Sequence, residues 1–194
     1  MSDEFVNSAK ERRGAIEALI AGLPGIQGYV DKELRRDADK RVRDTIAARL
    51  EEQKQALFEI QRRLTKSGGL KYVGDVDDAV QKLQLLSDRI KTASYGYAGF
   101  FDPVRVKEEE LDALHRFDVA LAARTVEVEA DVQALGAAVD GGGDVVAASN
   151  DLIKLLNDLN SLFQRRSEAI LSPDLLLDAQ YVPDVDPSLL TKQD

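Results

Sequence analysis

Apolar residues return every three or four positions along most of this chain, and short clusters of glycine and proline break the pattern into segments. That period belongs to helices with one buried face. Residues 3–22 predict a first helix, with Phe5, Ile16, Leu19 and Ile20 on its apolar side and Gly14 as a weak point. It ends at GLPGIQG, where Gly22, Pro24, Gly25 and Gly28 interrupt any helix. From Tyr29 to Lys66 there is neither glycine nor proline, and Val30, Leu34, Val42, Ile46, Leu50, Leu57, Ile60 and Leu64 form a stripe. A helix of that length is a rod of roughly 57 Å, and Ser67-Gly68-Gly69 is its stop.

A third helix is predicted from Asp75, with Val76, Val80, Leu83, Leu86 and Ile90 as its stripe, up to the turn YGYAGFFDP at residues 95–103. The fourth runs over 106–139, with Glu108, Glu109 and Glu110 where the helix dipole favours acids. On its seam Asp118 and Thr125 interrupt Leu111, Leu114, Leu121, Val128, Val132, Leu135 and Val139. Either these two are buried register-setting groups, or Phe117 rotates the stripe and leaves Asp118 at its edge. The second reading is preferred, because an unpaired buried carboxylate is expensive. Gly141 to Gly143 form a short loop, and the fifth helix, 144–171, has the cleanest pattern: Val145, Ser149, Leu152, Leu156, Leu159, Phe163, Arg166 and Ile170. It is expected to be the most buried.

Beyond Ser172 the chain becomes acidic and proline-rich but keeps Leu175, Leu176, Leu177, Tyr181, Val182, Leu189 and Leu190. Ser172-Pro173 and Asp186-Pro187 each resemble a cap followed by a first-turn proline, predicting two short helical turns on an extended strap. The expected fold is therefore all-α: an elongated antiparallel bundle of four long helices with a short N-terminal helix and an extended C-terminal strap. Its parts are an N-terminal helix and hinge (1–27), the bundle (28–171) and an acidic-hydrophobic tail (172–194).

Composition narrows the function more than it identifies it. The chain has 194 residues, no cysteine and a net charge of −9. Without cysteine there is no thiol nucleophile, disulfide or Cys-type zinc site. The acidic opening lacks an apolar run suited to a signal sequence, and no run of about 18 apolar residues spans a membrane. Cytoplasmic residence is the expectation. Charge is uneven: residues 28–66 carry eleven bases against eight acids, and 102–144 carry four against eleven. Two oppositely biased helices side by side explain this, and nucleic acid is not an expected partner.

Nor does any cluster assemble a reaction. The single histidine, His115, sits at Asp112-x-x-His115, half of a pattern that di-iron bundles need twice over. The glycine stretches lack the neighbours of phosphate loops. No catalytic residue, cofactor site or metal site is assigned, and the chain reads as a non-enzyme. The candidate protein-binding residues are Tyr95, Tyr97, Phe100 and Phe101, from the aromatic turn, and Leu175, Leu176 and Tyr181, from the strap. For both groups the alternative is packing within the chain, the aromatic rings sealing a bundle end and the strap lying on its own helices.

Two stretches, GYVDKELRRDADKRVRD at 28–44 and DRIKTASYGYAGFFD at 88–102, resemble bacterial helical proteins that accompany phage-shock and flotillin-type (SPFH) membrane-stress systems. The resemblance implies an accessory component of an assembly and transfers no site residue. The expected function is thus a scaffold or adaptor that binds other proteins. A peripheral membrane-binding bundle using the basic side of residues 32–66 with Phe100 and Phe101, a carboxylate metal-dependent hydrolase, and self-association into homo-oligomers stay open.

Overall fold

The computed structural model describes residues 2–21, 32–93 and 107–190. The protein is all-α, and its described residues form five long helices: α1 (Ser2–Ala21), α2 (Lys32–Ser67), α3 (Val73–Thr92), α4 (Glu108–Gly141) and α5 (Val145–Leu171). Short 3-10 turns follow at Leu70–Tyr72, Pro173–Leu177 and Pro187–Leu189. Among the described residues no helix is long and apolar enough to cross a membrane.

Local chemistry fixes the helix ends. Gly68 adopts φ 82°, a left-handed conformation that only glycine enters cheaply, and the Gly69 N–H donates to the Leu64 carbonyl at 2.8 Å. Gly142, at φ 69°, ends α4 in the same way, with the Gly143 N–H donating to the Ala138 carbonyl. Asp144 caps α5 by accepting from the Ala147 N–H at 3.0 Å. At the start of α4 the Glu110 carboxylate accepts from the Lys107 N–H at 2.8 Å. The two proline-led turns of the strap form as 3-10 turns, and Asp186 caps the second by accepting from the Ser188 N–H.

Polar contacts between helices give their directions. Gln61 meets Asp77, Lys54 meets Gln84 and Glu51 meets Lys91, so α2 and α3 form an antiparallel hairpin. A short loop joins α4 and α5 into a second one. Between the hairpins, Arg49 reaches Glu129 and Arg63 reaches Asp140, so α2 lies beside α4 in the same direction. Likewise Lys82 meets Asn157 and Arg89 meets Asn160 across α3 and α5. The bundle is antiparallel within each hairpin and parallel between them, with α2 diagonal to α5 and α3 diagonal to α4.

The apolar stripes meet in two clusters. The larger runs along α2, α3, α4 and α5 through Leu50, Leu57, Leu83, Leu121 and Leu156, and takes in Leu19 of α1. The smaller, at the end where α2 begins and α5 stops, joins Ala38, Leu111, Leu114, Phe117, Ile170 and Leu176. One expectation is overturned here. The most enclosed helix is α4, with 17 buried residues against 10 in α5. From Glu110 to Ala122 only Asp112 and Arg116 of α4 face solvent, because α1, α2, α5 and the strap all pack on this helix. A helix covered on all sides needs no single stripe.

Candidate functional site

Polar chemistry inside the protein concentrates where α2, α4 and α5 meet. Arg166 of α5 is wholly buried, as is Asp118 of α4, and Asp39 of α2 is 1% exposed. The Arg166 Nε donates to the Asp118 Oδ1 at 2.6 Å. Its Nη1 lies 2.9 Å from the Asp39 Oδ1, and Arg43 Nε donates to the other oxygen of Asp39 at 2.9 Å. One guanidinium thus ties together three helices, a use suited to its planar fork of donors. Asp118 is not at the edge of the stripe but inside it. The cost of burying its charge is offset by Arg166, a residue 48 positions away that itself stands on the α5 stripe. Thr125, the other polar seam position, is buried and donates its hydroxyl to the Leu121 carbonyl within its own helix at 2.8 Å.

Near this network the strap lies on the bundle. Leu176 is buried between α4 and α5 beside Phe117, while Leu175 and Tyr181 are half-buried. The Tyr181 ring meets Phe117 edge-on, at 6.2 Å between centroids, and the Arg165 guanidinium covers the Tyr181 face at 4.9 Å. The Tyr181 hydroxyl donates to Glu168 at 2.8 Å, with the Arg165 carbonyl at 3.2 Å as its other acceptor. Burial and the Glu168 carboxylate push the Tyr181 phenol up to about 12. Hydrogen bonds from Gln164 and from Tyr181 hold Glu168 below its usual range. Further along, Arg13 of α1 donates to the Ser188 hydroxyl at 3.0 Å, so the strap also touches the N-terminal helix.

A third feature is an open cleft of about 270 Å³ between α1, α4 and α5. Arg12 enters it from α1, while Asp131 of α4 and Asp151, Lys154 and Asp158 of α5 line its walls. Burial, then the carboxylates of Asp151 and Glu127, push the Asp131 carboxyl up, against the pull of Arg12.

The structure separates the residues singled out in the sequence. Tyr95, Tyr97, Phe100 and Phe101 lie outside the described residues, whereas Leu175, Leu176 and Tyr181 all sit in the strap's contact with α4 and α5. Asp112 faces solvent and His115 is buried, so the two do not converge. Among the described residues no group of three or more His, Asp or Glu is placed to hold a metal ion. The Asp39–Arg166–Asp118 bridge could not be paired from spacing, although Arg166 on an apolar stripe was a sign that an acid had to face it. No protein-family profile matches the chain, and neither a curated protein nor a solved structure is significantly similar to it.

Proposed function

We propose that the protein is a non-enzymatic scaffold or adaptor that binds other proteins in the cytoplasm, within the bacterial membrane-stress setting implied by the resemblance of residues 28–44 and 88–102. The observation that carries this reading is apolar exposure at one end of the bundle. Leu34 at the start of α2, Leu171 at the end of α5 and Leu177 in the strap are 54%, 61% and 49% exposed. Single exposed leucines are ordinary, but three at the end where α2 starts and α5 stops offer apolar area for a partner to cover. The buried charges support the same reading, since Asp39, Arg43, Asp118 and Arg166 are engaged with one another across helices.

The test is native purification of the full chain and of a variant carrying Leu34→Ser, Leu171→Ser and Leu177→Ser. A stoichiometric protein partner is expected with the first and not with the second, at unchanged helical signal. Turnover of a metabolite that vanished on mutating a clustered polar set would overturn the reading. Flotation on anionic vesicles at physiological salt would favour a peripheral membrane bundle instead. Against that outcome, the exposed Arg36, Lys40 and Arg41 of α2 alternate with exposed Glu33, Asp37 and Asp44, so this stretch of α2 does not present a uniformly basic strip.

A further inference from the structure

The groove between α4 and α5 is covered in two parts by the two ends of the chain. The strap closes one part around Leu176, and α1 lies over the other. The two covers differ in fit. The strap brings Leu176, Phe117 and Tyr181 into contact, whereas α1 leans on α4 and leaves the cleft open towards α5.

We propose that this groove is the protein's docking site for a partner's amphipathic helix with a basic edge, and that α1 is its loosely seated occupant within the chain. The inference rests on the adaptor reading and adds a surface separate from the exposed leucines. That a helix fits here is shown by α1 itself, which seats Leu19 fully and Ala15, Ile16 and Ile20 partly against the core. That α1 fits incompletely follows from the cleft. Of the charges on its walls, Glu127 is paired with Arg124 at 2.7 Å. Asp131, Asp151 and Asp158 then face the cleft with Lys154 and, among the described residues of α1, the cation of Arg12. A helix with further basic residues along that edge would fill the space and balance the walls, in the helix-in-groove mode of recognition.

The light attachment of α1 allows its release. It holds one fully buried side chain among the described positions, and its mid-helix Gly14 has open space around it. The sequence that follows carries Gly22, Pro24, Gly25 and Gly28. Beyond the core contacts, the Arg13–Ser188 hydrogen bond ties α1 to the strap.

The probe is a labelled peptide of residues 2–21 carrying Gly14→Ala, to favour the helix, and Ser8→Arg, four residues before Arg12 and at helical spacing from it in the peptide. Its binding to the full chain is followed by fluorescence anisotropy, and exchange of the chain's α1 amides by mass spectrometry. Binding should be at least fivefold tighter than for the peptide keeping Ser8, should weaken at 0.5 M salt, and should raise exchange in α1 of the chain. In the full chain, Leu19→Ser should improve peptide affinity about tenfold by loosening the resident helix. Asp131→Asn with Asp151→Asn should remove the preference for Arg at position 8. Binding without release of α1, no binding to the Leu19→Ser chain, or equal affinity of the two peptides would overturn the inference. So would dimerisation by exchange of α1 between copies, which would make a second copy the occupant. A co-purifying partner that protects a different surface would sink this inference while leaving the adaptor reading intact.

Discussion

At the scale of single residues, Arg166 shows how a charge can be a core residue. Its guanidinium is wholly buried and bridges Asp39 and Asp118, so truncating it removes a positive charge from beside two interior carboxylates, of which Asp39 keeps Arg43. Arg166→Met is expected to cost about 3–5 kcal/mol in urea denaturation. Replacing Asp39, Arg43, Asp118 and Arg166 together by Leu and Met should cost less than the single change, because charges that face one another leave together. If the single and fourfold variants were equally unstable, the network's pairing would not be what matters. Asp131 makes the opposite case. Its carboxyl is raised above the ordinary 3.8, so the folded state resists its ionisation. Stability attributable to it falls as pH rises through that raised value, and the cost is fully present at pH 7. Asp131→Asn should therefore raise the melting temperature at pH 7, on the order of 1 °C for a partly exposed group, and leave it unchanged at pH 3. A lower melting temperature at pH 7 would show that the Arg12 contact outweighs burial. The site was half legible at this scale: Arg166 and Asp118 both stood on apolar stripes, but only folding shows that the two stripes meet.

At the scale of elements, the five helices and two strap turns were readable because glycine, proline and capping chemistry act locally. Asp186 caps where expected, Ser172 leads its turn without a side-chain capping bond, and α3 begins two residues ahead of Asp75 because the turn at Leu70–Tyr72 leads directly into it. What pattern could not weigh was enclosure: α4 mixes Ala113, Ala120 and Ala122 with larger residues on every side, so its stripe looked blurred although it is the most covered helix. The strap tests a related point. Leu176 is its one buried side chain among the described residues, so Leu176→Ala can cost no more than the strap's whole docking energy. Both that variant and a chain ending at Leu171 should lose about 2–3 kcal/mol, near the value of burying one leucine, with the bundle still helical. Tyr181 reports the same event spectroscopically. With the strap docked its phenol ionises near 12, and in Leu176→Ala it should return towards 10 in an ultraviolet titration. Docking is at full strength below 10 and is lost as pH rises through 12. Glu168, held low, adds a second limit: docking weakens as pH falls below 4.5 through its lowered value. A Tyr181 titration unchanged by Leu176→Ala would mean the ring is held independently of the leucine.

At the scale of the whole molecule, the adjacency of the helices is the property furthest from the sequence. Periodicity says that each helix has a buried face, but it cannot say that α2 lies parallel to α4; that depends on Arg49, Arg63 and Arg166 finding acids on other helices. The resulting body has a doubly covered centre and lightly held ends, and its local stabilities should differ accordingly. Amides between Phe117 and Leu121, a wholly buried stretch of a helix on which α1, α2, α5 and the strap all pack, should exchange only through global unfolding. Amides of α1 should exchange through detachment of a helix that anchors itself chiefly by Leu19. A difference of about 4 kcal/mol between the two openings would separate their rates roughly a thousandfold. Hydrogen exchange followed by mass spectrometry at neutral pH measures this directly. In the chain ending at Leu171, α1 should exchange faster still, since Ser188 no longer holds Arg13, while the centre should lose protection only by the fall in global stability. Equal protection of α1 and the centre of α4 would mean that the N-terminal helix folds and unfolds with the bundle, and the graded picture of this molecule would be wrong.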